Sequence, residues 1–321
     1  MRIVVAVEDL SPQHAPSLRE LQAQAALVGS RLAEVAAHHD LVITLGSGLQ
    51  RTLLGWQAAE SRSAHAAQPA ELPDLRHELL AGHLLRQELA NVLPADKPIA
   101  SILTTTEVDP RDPAFDEPTA MVGPSYDDLQ ASHLSEQEHW ALRPEGSAWR
   151  RAVPLPEPRH ILETQPIEWL LTQGCVVICT AGGLPVTYLP GTRTLATAEV
   201  VVDSLHATSV LAIDIDADRL VITTDGHPSL PPVPGADPRY HAVHPDDVAG
   251  MRALDGSVPA EFQAADAYTR TTGHTTVLGD LAELPRLLAG TTGTQITLSV
   301  APREAATRSA TVSALDRRRH T

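Results

Sequence analysis

Lysine is almost missing from this sequence. Of 24 basic residues only Lys97 is a lysine, so any chemistry that requires a lysine ammonium has a single candidate. Two explanations stand open at this point: a coding preference for Arg over Lys, or the loss of lysines that a site once used. Positive charge is short as well. Against 40 acidic residues the 24 basic ones leave a net charge of −16, which argues against nucleic-acid and anionic-membrane partners. Aromatic residues make up 3% of the chain, so Ala, Val, Leu and Ile must supply the core. No uncharged apolar stretch approaches the roughly 18 residues that span a bilayer. The apolar run over residues 2–7 meets Glu8-Asp9 too soon for the core of a signal peptide, and a cytoplasmic location is expected. The two cysteines, Cys175 and Cys179, stand four positions apart in Cys-Val-Val-Ile-Cys. Along a strand that is about 13 Å, beyond the reach of a disulfide, so both are expected as core thiols. No metal-type Cys/His spacing accompanies them, and no metal site is expected.

What is present is a rhythm of short apolar strands and longer amphipathic segments. The 321 residues are 43% hydrophobic and 20% charged, enough to bury the core of one large α/β domain or two ordinary ones. Strands are expected at 2–7, 41–45, 99–104, 175–180, 199–202, 220–224 and 275–278. Helices are expected at 17–38, 49–60, 75–91, 161–173 and 259–271, and from 204 and 281 onward. Uniformly apolar strands between helices mean a mainly parallel sheet covered on both faces. Two stretches break the rhythm. Residues 109–158 are rich in proline and charge, as in Asp109-Pro110-Arg111-Asp112-Pro113, and suggest a lid or a small protruding subdomain. Residues 297–321, ending in Arg317-Arg318-Arg319-His320-Thr321, read as a disordered tail. Residues 228–238 read as a loop.

Ligands of open α/β sheets sit where strands run into loops that start helices. Three such loops stand out: Glu8-Asp9-Leu10 after the first strand, Gly46-Ser47-Gly48 after the second, and Ala181-Gly182-Gly183. Glycines there let backbone N–H groups approach a phosphate, with a helix N-terminus adding positive potential.

Longer motifs sharpen this. Asp112-Pro113-Ala114-Phe115-Asp116-Glu117-Pro118-Thr119 with Val122-Gly123-Pro124, then Trp149-Arg150-Arg151-Ala152-Val153-Pro154, then Val176-Val177-Ile178-Cys179 with Gly182-Gly183-Leu184-Pro185, together resemble carbamate kinases. The resemblance runs in order from residue 1 to about 296. It implies the amino-acid kinase fold, a three-layer α/β/α sandwich with a mainly parallel central sheet and a small protruding subdomain at about 109–158. It also implies a homodimer, and transfer of phosphate between ATP and carbamate, giving ADP and carbamoyl phosphate, with Mg2+. Positioning and cationic stabilisation of the phosphates carry such transfers.

Carried over position by position, the resemblance departs at the residues that matter most. The family's opening Gly-Gly-Asn falls on Glu8, Asp9 and Leu10, and its His-Gly-Asn-Gly-Pro-Gln loop becomes Leu45-Gly46-Ser47-Gly48-Leu49-Gln50. Its lysines fall on Ala120, Ser204 and Glu261. Nucleotide contacts would come from Gly46, Ser47, Gly48, Gly182, Gly183, Asp203 and Asp225. A coding preference would have replaced Lys by Arg and kept the charge; Ala, Ser and Glu do not. Loss of ordinary phosphoryl transfer is therefore expected, leaving a binding, regulatory or scaffold role, a new use of the cleft on another small substrate, or weak residual carbamate kinase activity. His206, in the first turn of the helix from 204, is a candidate acid/base group. Arg51 and Arg193 are candidate replacement cations. Lys97, in a turn before a strand, reads as a solvated surface residue, and Asp214-Ile215-Asp216-Ala217-Asp218 as a solvated helix-to-strand turn without the glycine and distal Glu of a calcium loop.

Overall fold

Arg2–Val7 forms the first strand, β1, because an unbroken run of Ile, Val and Ala favours extended backbone and can be buried on both faces. The computed structural model describes residues 1–8, 18–46, 72–224, 240–248 and 258–300. After β1 come α1 (Leu18–Ala36), β2 (Asp40–Leu45), α2 (Leu72–Val92), β3 (Ile99–Ile102) and β4 (Thr105–Val108). The middle of the chain forms β5 (Ala120–Tyr126), α3 (Asp128–Glu138), β6 (Ala141–Glu145), β7 (Ala148–Val153), β8 (Pro158–Ile161) and α4 (Thr164–Thr172). Next are β9 (Val176–Thr180), β10 (Leu184–Tyr188), β11 (Leu195–Thr197), α5 (Ser204–Asp214) and β12 (Arg219–Thr223). The last part holds β13 (Tyr240–Val243), α6 (Pro245–Val248), α7 (Ala260–Thr272), β14 (Thr276–Gly279), α8 (Leu284–Leu288) and β15 (Gly293–Ile296).

Eight strands build the main sheet in the order β13-β15-β14-β12-β1-β2-β9-β3. Every neighbouring pair is parallel except β14 with β15. Successive residues of β1 feed opposite faces, as the strand period of two requires. Val4 and Ala6 pack with Val42, Val177 and Ile222 against Leu205 and Leu211 of α5 and Phe262 and Tyr268 of α7. Ile3, Val5 and Val7 pack with Ile43, Ile178 and Val277 against Leu32 of α1, Leu85 of α2 and Leu287 of α8. Helices cover both faces, and the three-layer α/β/α expectation holds. A four-stranded sheet (β11-β10-β4-β8) and an antiparallel three-stranded one (β5-β7-β6) are built from the middle of the chain. No described helix is long and apolar enough to cross a membrane.

Several local expectations need correction. The segment 99–104 is not one strand: Thr104 donates its N–H to the Thr180 hydroxyl at 3.0 Å, and the chain turns there into β4, which belongs to the second sheet. The glycine turn stops at Gly183, and Leu184–Tyr188 continues as strand β10. Ile161, expected to start a helix, instead ends strand β8, which pairs with β4, and the helix begins at Thr164. Residues 199–202 join no sheet; the Val201 N–H donates to Pro154 O and its side chain packs on Val122 and Val153. Strands β13 and β15 complete the main sheet where no strand was expected. The expected helix 49–60 and loop 228–238 lie outside the described residues. Of the expected tail, residues 297–300 are described: Thr297 is buried and donates its N–H to Val243 O, while Leu298 and Ser299 are exposed. Residues 301–321 lie outside the described residues. Cys175 and Cys179 are buried free thiols, as expected.

Tyr268 is fully buried, and its hydroxyl donates to Ala217 O at 2.5 Å. Burial pushes its phenol up to about 12. Tyr268→Phe removes that donor and strands a buried carbonyl, so it should lower the unfolding free energy by about 1–2 kcal/mol in urea denaturation. An unchanged midpoint would contradict the packing described.

Candidate functional site

Strands β1, β2 and β9 are neighbours and parallel, so the segments that follow them emerge along one edge of the main sheet. Beyond β1 stands Glu8, beyond β2 Gly46, and beyond β9 Ala181-Gly182-Gly183. Two backbone bonds lock the edge together: the Gly46 N–H donates to Val7 O at 3.0 Å, and the Ala181 N–H donates to Leu45 O at 2.8 Å.

Helix α5 begins at this edge. Asp203 is its N-cap, in extended backbone, and its Oδ1 accepts the N–H groups of Leu205 and His206, each at 3.0 Å. This is what an Asp before an apolar helical run is suited to do. Ser204, at the first helical position, is 2% exposed. Its hydroxyl meets both oxygens of Glu8, donating to Oε1 at 3.0 Å or to Oε2 at 3.1 Å. Thr208 Oγ1, one turn on, lies 2.8 Å from both the Ser204 carbonyl and the Thr44 hydroxyl. A Cβ on Gly46 would overlap Glu8 Oε1 and stand 2.9 Å from Ser204 Oγ. The glycine thus makes room for the carboxylate.

The third loop has a different job. Gly183 takes φ +57, and a Cβ there would run into the Thr104 carbonyl. Thr106 donates its hydroxyl to Gly182 O at 2.7 Å, and the Leu184 N–H donates to Thr104 O. Gly182 and Gly183 therefore serve the close crossing between β9, β4 and β10.

The three positions expected to have lost lysine are placed as follows. Ser204 is in the junction just described. Ala120 opens β5 and packs against Val122, Val153 and Val201, the last of these two residues before Asp203. Glu261 is half-buried in the first turn of α7, where a carboxylate suits the helix dipole. Lys97 precedes β3, which runs parallel to β9, so it stands at the opposite edge of the sheet, roughly 20 Å away by strand rise. Arg193 is exposed in the turn between β10 and β11. Ser47, Gly48, Arg51 and Asp225, with Asp9 and Leu10, lie outside the described residues.

His206 faces Glu157, with Nδ1 3.6 Å from Oε2. The pair stands at one end of a cavity of about 700 Å³ between α5 and α7, floored by Val210, Ile213 and Val258. Arg270, which also lines it, is held by Asp246 at 2.9 Å and Asp266 at 2.8 Å. The His206–Glu157 pair was not legible in the sequence, because β8 and α5 meet only in the fold. Other cations of the middle segment are also spoken for. Arg150 pairs with Glu145 at 2.8 Å, while Arg151 pairs with Glu199 and lies 4.2 Å over the Trp140 ring. The described residues contain no cluster of His, Cys, Asp and Glu suited to a metal ion.

For a nucleotide polyphosphate with Mg2+, which the resemblance implies, the described groups at this junction offer the metal oxygen ligands but offer the phosphates no cation. Those groups are a carboxylate, a hydroxyl and a glycine, with a second carboxylate capping the helix. A unit negative charge about 4 Å from another costs about 4 kcal/mol at an effective dielectric of about 20.

No family model matches the chain. The chain is 36% identical over 307 residues to the carbamate kinase of Rhizobium meliloti (strain 1021), covering 93% of this chain and 94% of that one. It is 32% identical over 303 residues to the carbamate kinase of Haemophilus influenzae, with 92% and 97% covered. Among solved structures, the carbamate kinase of Giardia lamblia bound to AMP-PNP superposes with a TM-score of 0.80 at 25% identity, covering 92% of this chain and 98% of that one.

The two glycines should respond differently to a methyl group. Gly183→Ala meets backbone at a positive φ and should cost about 3 kcal/mol. Gly46→Ala meets the end of a side chain that can swing away, and about 1 kcal/mol or less is expected. Chemical denaturation of both variants checks the order; equal losses would contradict it.

Proposed function

The chain belongs to the carbamate kinase family, and from that premise we propose that it has lost the family's ordinary phosphoryl transfer and acts as a binding, regulatory or scaffold protein. The observation that carries this reading is the Ser204–Glu8 contact. Where the resemblance places a lysine there is a hydroxyl, and it is committed to a carboxylate of the chain itself. Ala120 and Glu261 at the other two lysine positions support the same reading. Removing one oriented donor from a charge-stabilising site costs about 100- to 1,000-fold in rate, and here three are replaced.

The AMP-PNP in the Giardia protein supports nucleotide binding as an ancestral property of the cleft; the replacement of three lysines by Ala120, Ser204 and Glu261 argues for weaker binding here. The same proposal takes residues 109–158 as a subdomain of a single 1–296 domain, in a cytoplasmic homodimer. Support for the dimer comes from the outer position of β3 and the exposed Leu79, Leu80, Val92 and Leu103 nearby in the chain. Twice the chain's mass in light scattering is its mark.

A second reading, a diverged enzyme acting on another small substrate, draws on one specific observation: the His206–Glu157 pair at the cavity between α5 and α7. It predicts ligands that stabilise the protein and lose that effect in His206→Ala.

The deciding experiment mixes the protein with ADP, Mg2+ and carbamoyl phosphate and measures ATP formed. The expected rate is below about one-thousandth of that of the Rhizobium meliloti relative measured alongside. A comparable rate would overturn the proposal.

A further inference from the structure

We propose that residues 301–321 of the chain dock on the groove between α5 and α7 and cover the cavity in which His206 meets Glu157. This contact requires nothing of phosphoryl transfer and holds equally for an active or an inactive protein. Its consequence is that a small ligand of the cavity must compete with the chain itself.

Charge, side-chain pattern and place of attachment converge on this. The groove and its rim carry three carboxylates, Glu157, Asp246 and Asp266, against the Arg270 guanidinium and the His206 imidazole. Arg270 is held by two of those carboxylates, so the surplus is negative in either state of the imidazole. The Glu157 side chain is 75% exposed and within reach of a partner. Residues 301–321 have the opposite balance, with Arg303, Arg308, Arg317, Arg318 and Arg319 against Glu304 and Asp316, in a chain whose net charge is −16. Complementary charge of this kind favours one partner over others. The groove floor of Val210, Ile213 and Val258 is apolar, and Val312 and Leu315 stand just before the arginine run. Attachment brings the two together. Helix α5 leads into β12 and α7 into β14, and those strands are parallel, so the last turns of both helices lie at one end of their layer. Ile213 and Arg270 are in those turns. The last described residues reach the same end. Thr297 donates its N–H to Val243 O, two residues before the groove-lining Pro245, and the Thr275 hydroxyl, just past α7, donates to Thr297 Oγ1 at 3.2 Å. From Ile213 back to His206 is about 10 Å along α5, a span that 21 residues cover easily. A segment tethered so close is present at about millimolar effective concentration, so weak contacts suffice to hold it.

The test uses the full-length chain carrying the photo-reactive amino acid p-benzoyl-phenylalanine at position 314, which leaves Leu315 and the arginines in place. After irradiation, protein of single-chain mass is digested and its cross-linked peptides are identified by mass spectrometry. Cross-links to α5 or α7 residues that line the groove are expected. Their yield should fall about fivefold or more in about 1 M NaCl, where the screening length is about 3 Å. A similar fall is expected when Arg317→Glu, Arg318→Glu and Arg319→Glu are combined. Glu157→Lys, a change at an exposed side chain, should lower the yield as well. Cross-links confined to other surfaces, cross-links found only between two copies, or no cross-link at all overturn the proposal. So does a yield indifferent to salt and to the charge reversal.

Discussion

The junction depends on the burial of β1. Ile3 to Val7 are at most 2% exposed, with β2 on one side and β12 on the other, and alternate residues serve two separate cores. A strand pinned on both faces and both edges cannot slip by a residue without turning one core's side chains into the other. Glu8, the first residue past it, is therefore delivered to one place. Gly46 is delivered beside it by the parallel register of β2, and Ser204 by α5, whose apolar side packs on the same sheet.

From that constraint the chemistry follows. Phosphoryl transfer asks a protein for positioned positive charge, and a sheet edge with a helix start supplies part of it from backbone alone. In this chain the same edge carries carboxylates: Glu8 against Gly46, Asp203 on the helix cap, and Glu261 in the first turn of α7. The single lysine is at the other edge of the sheet. Arg150 and Arg151 stand against carboxylates of their own. Among the described residues, the scarcity of lysine and the acidic balance are thus both expressed at this edge of the sheet.

The sequence disclosed the layers because fully buried parallel strands leave uniform apolar runs, as in Arg2–Val7 and Val176–Thr180, and because α1 spaces Leu21, Ala25, Val28, Leu32 and Val35 along one face. Short strands were harder. The strand Leu184–Tyr188 contains Pro185, and Gly293–Ile296 is a glycine followed by threonine and glutamine; neither carries a period long enough to read, and both are set by partners distant in the chain. The glycine turn at 182–183 was visible as a turn, while its cause, the Thr104 carbonyl, was not. The site was legible as a set of substitutions and illegible as an arrangement. Nothing in spacing says that Glu8 and Ser204, 196 positions apart, close on each other, or that Glu157 reaches His206.

The most direct test of the proposed loss of function is calorimetric titration of the unmodified protein with AMP-PNP and Mg2+. A cleft that has lost the phosphate-binding lysines predicts no saturable binding tighter than about 1 mM, a free energy of about −4 kcal/mol. Saturable binding at micromolar concentrations would contradict it.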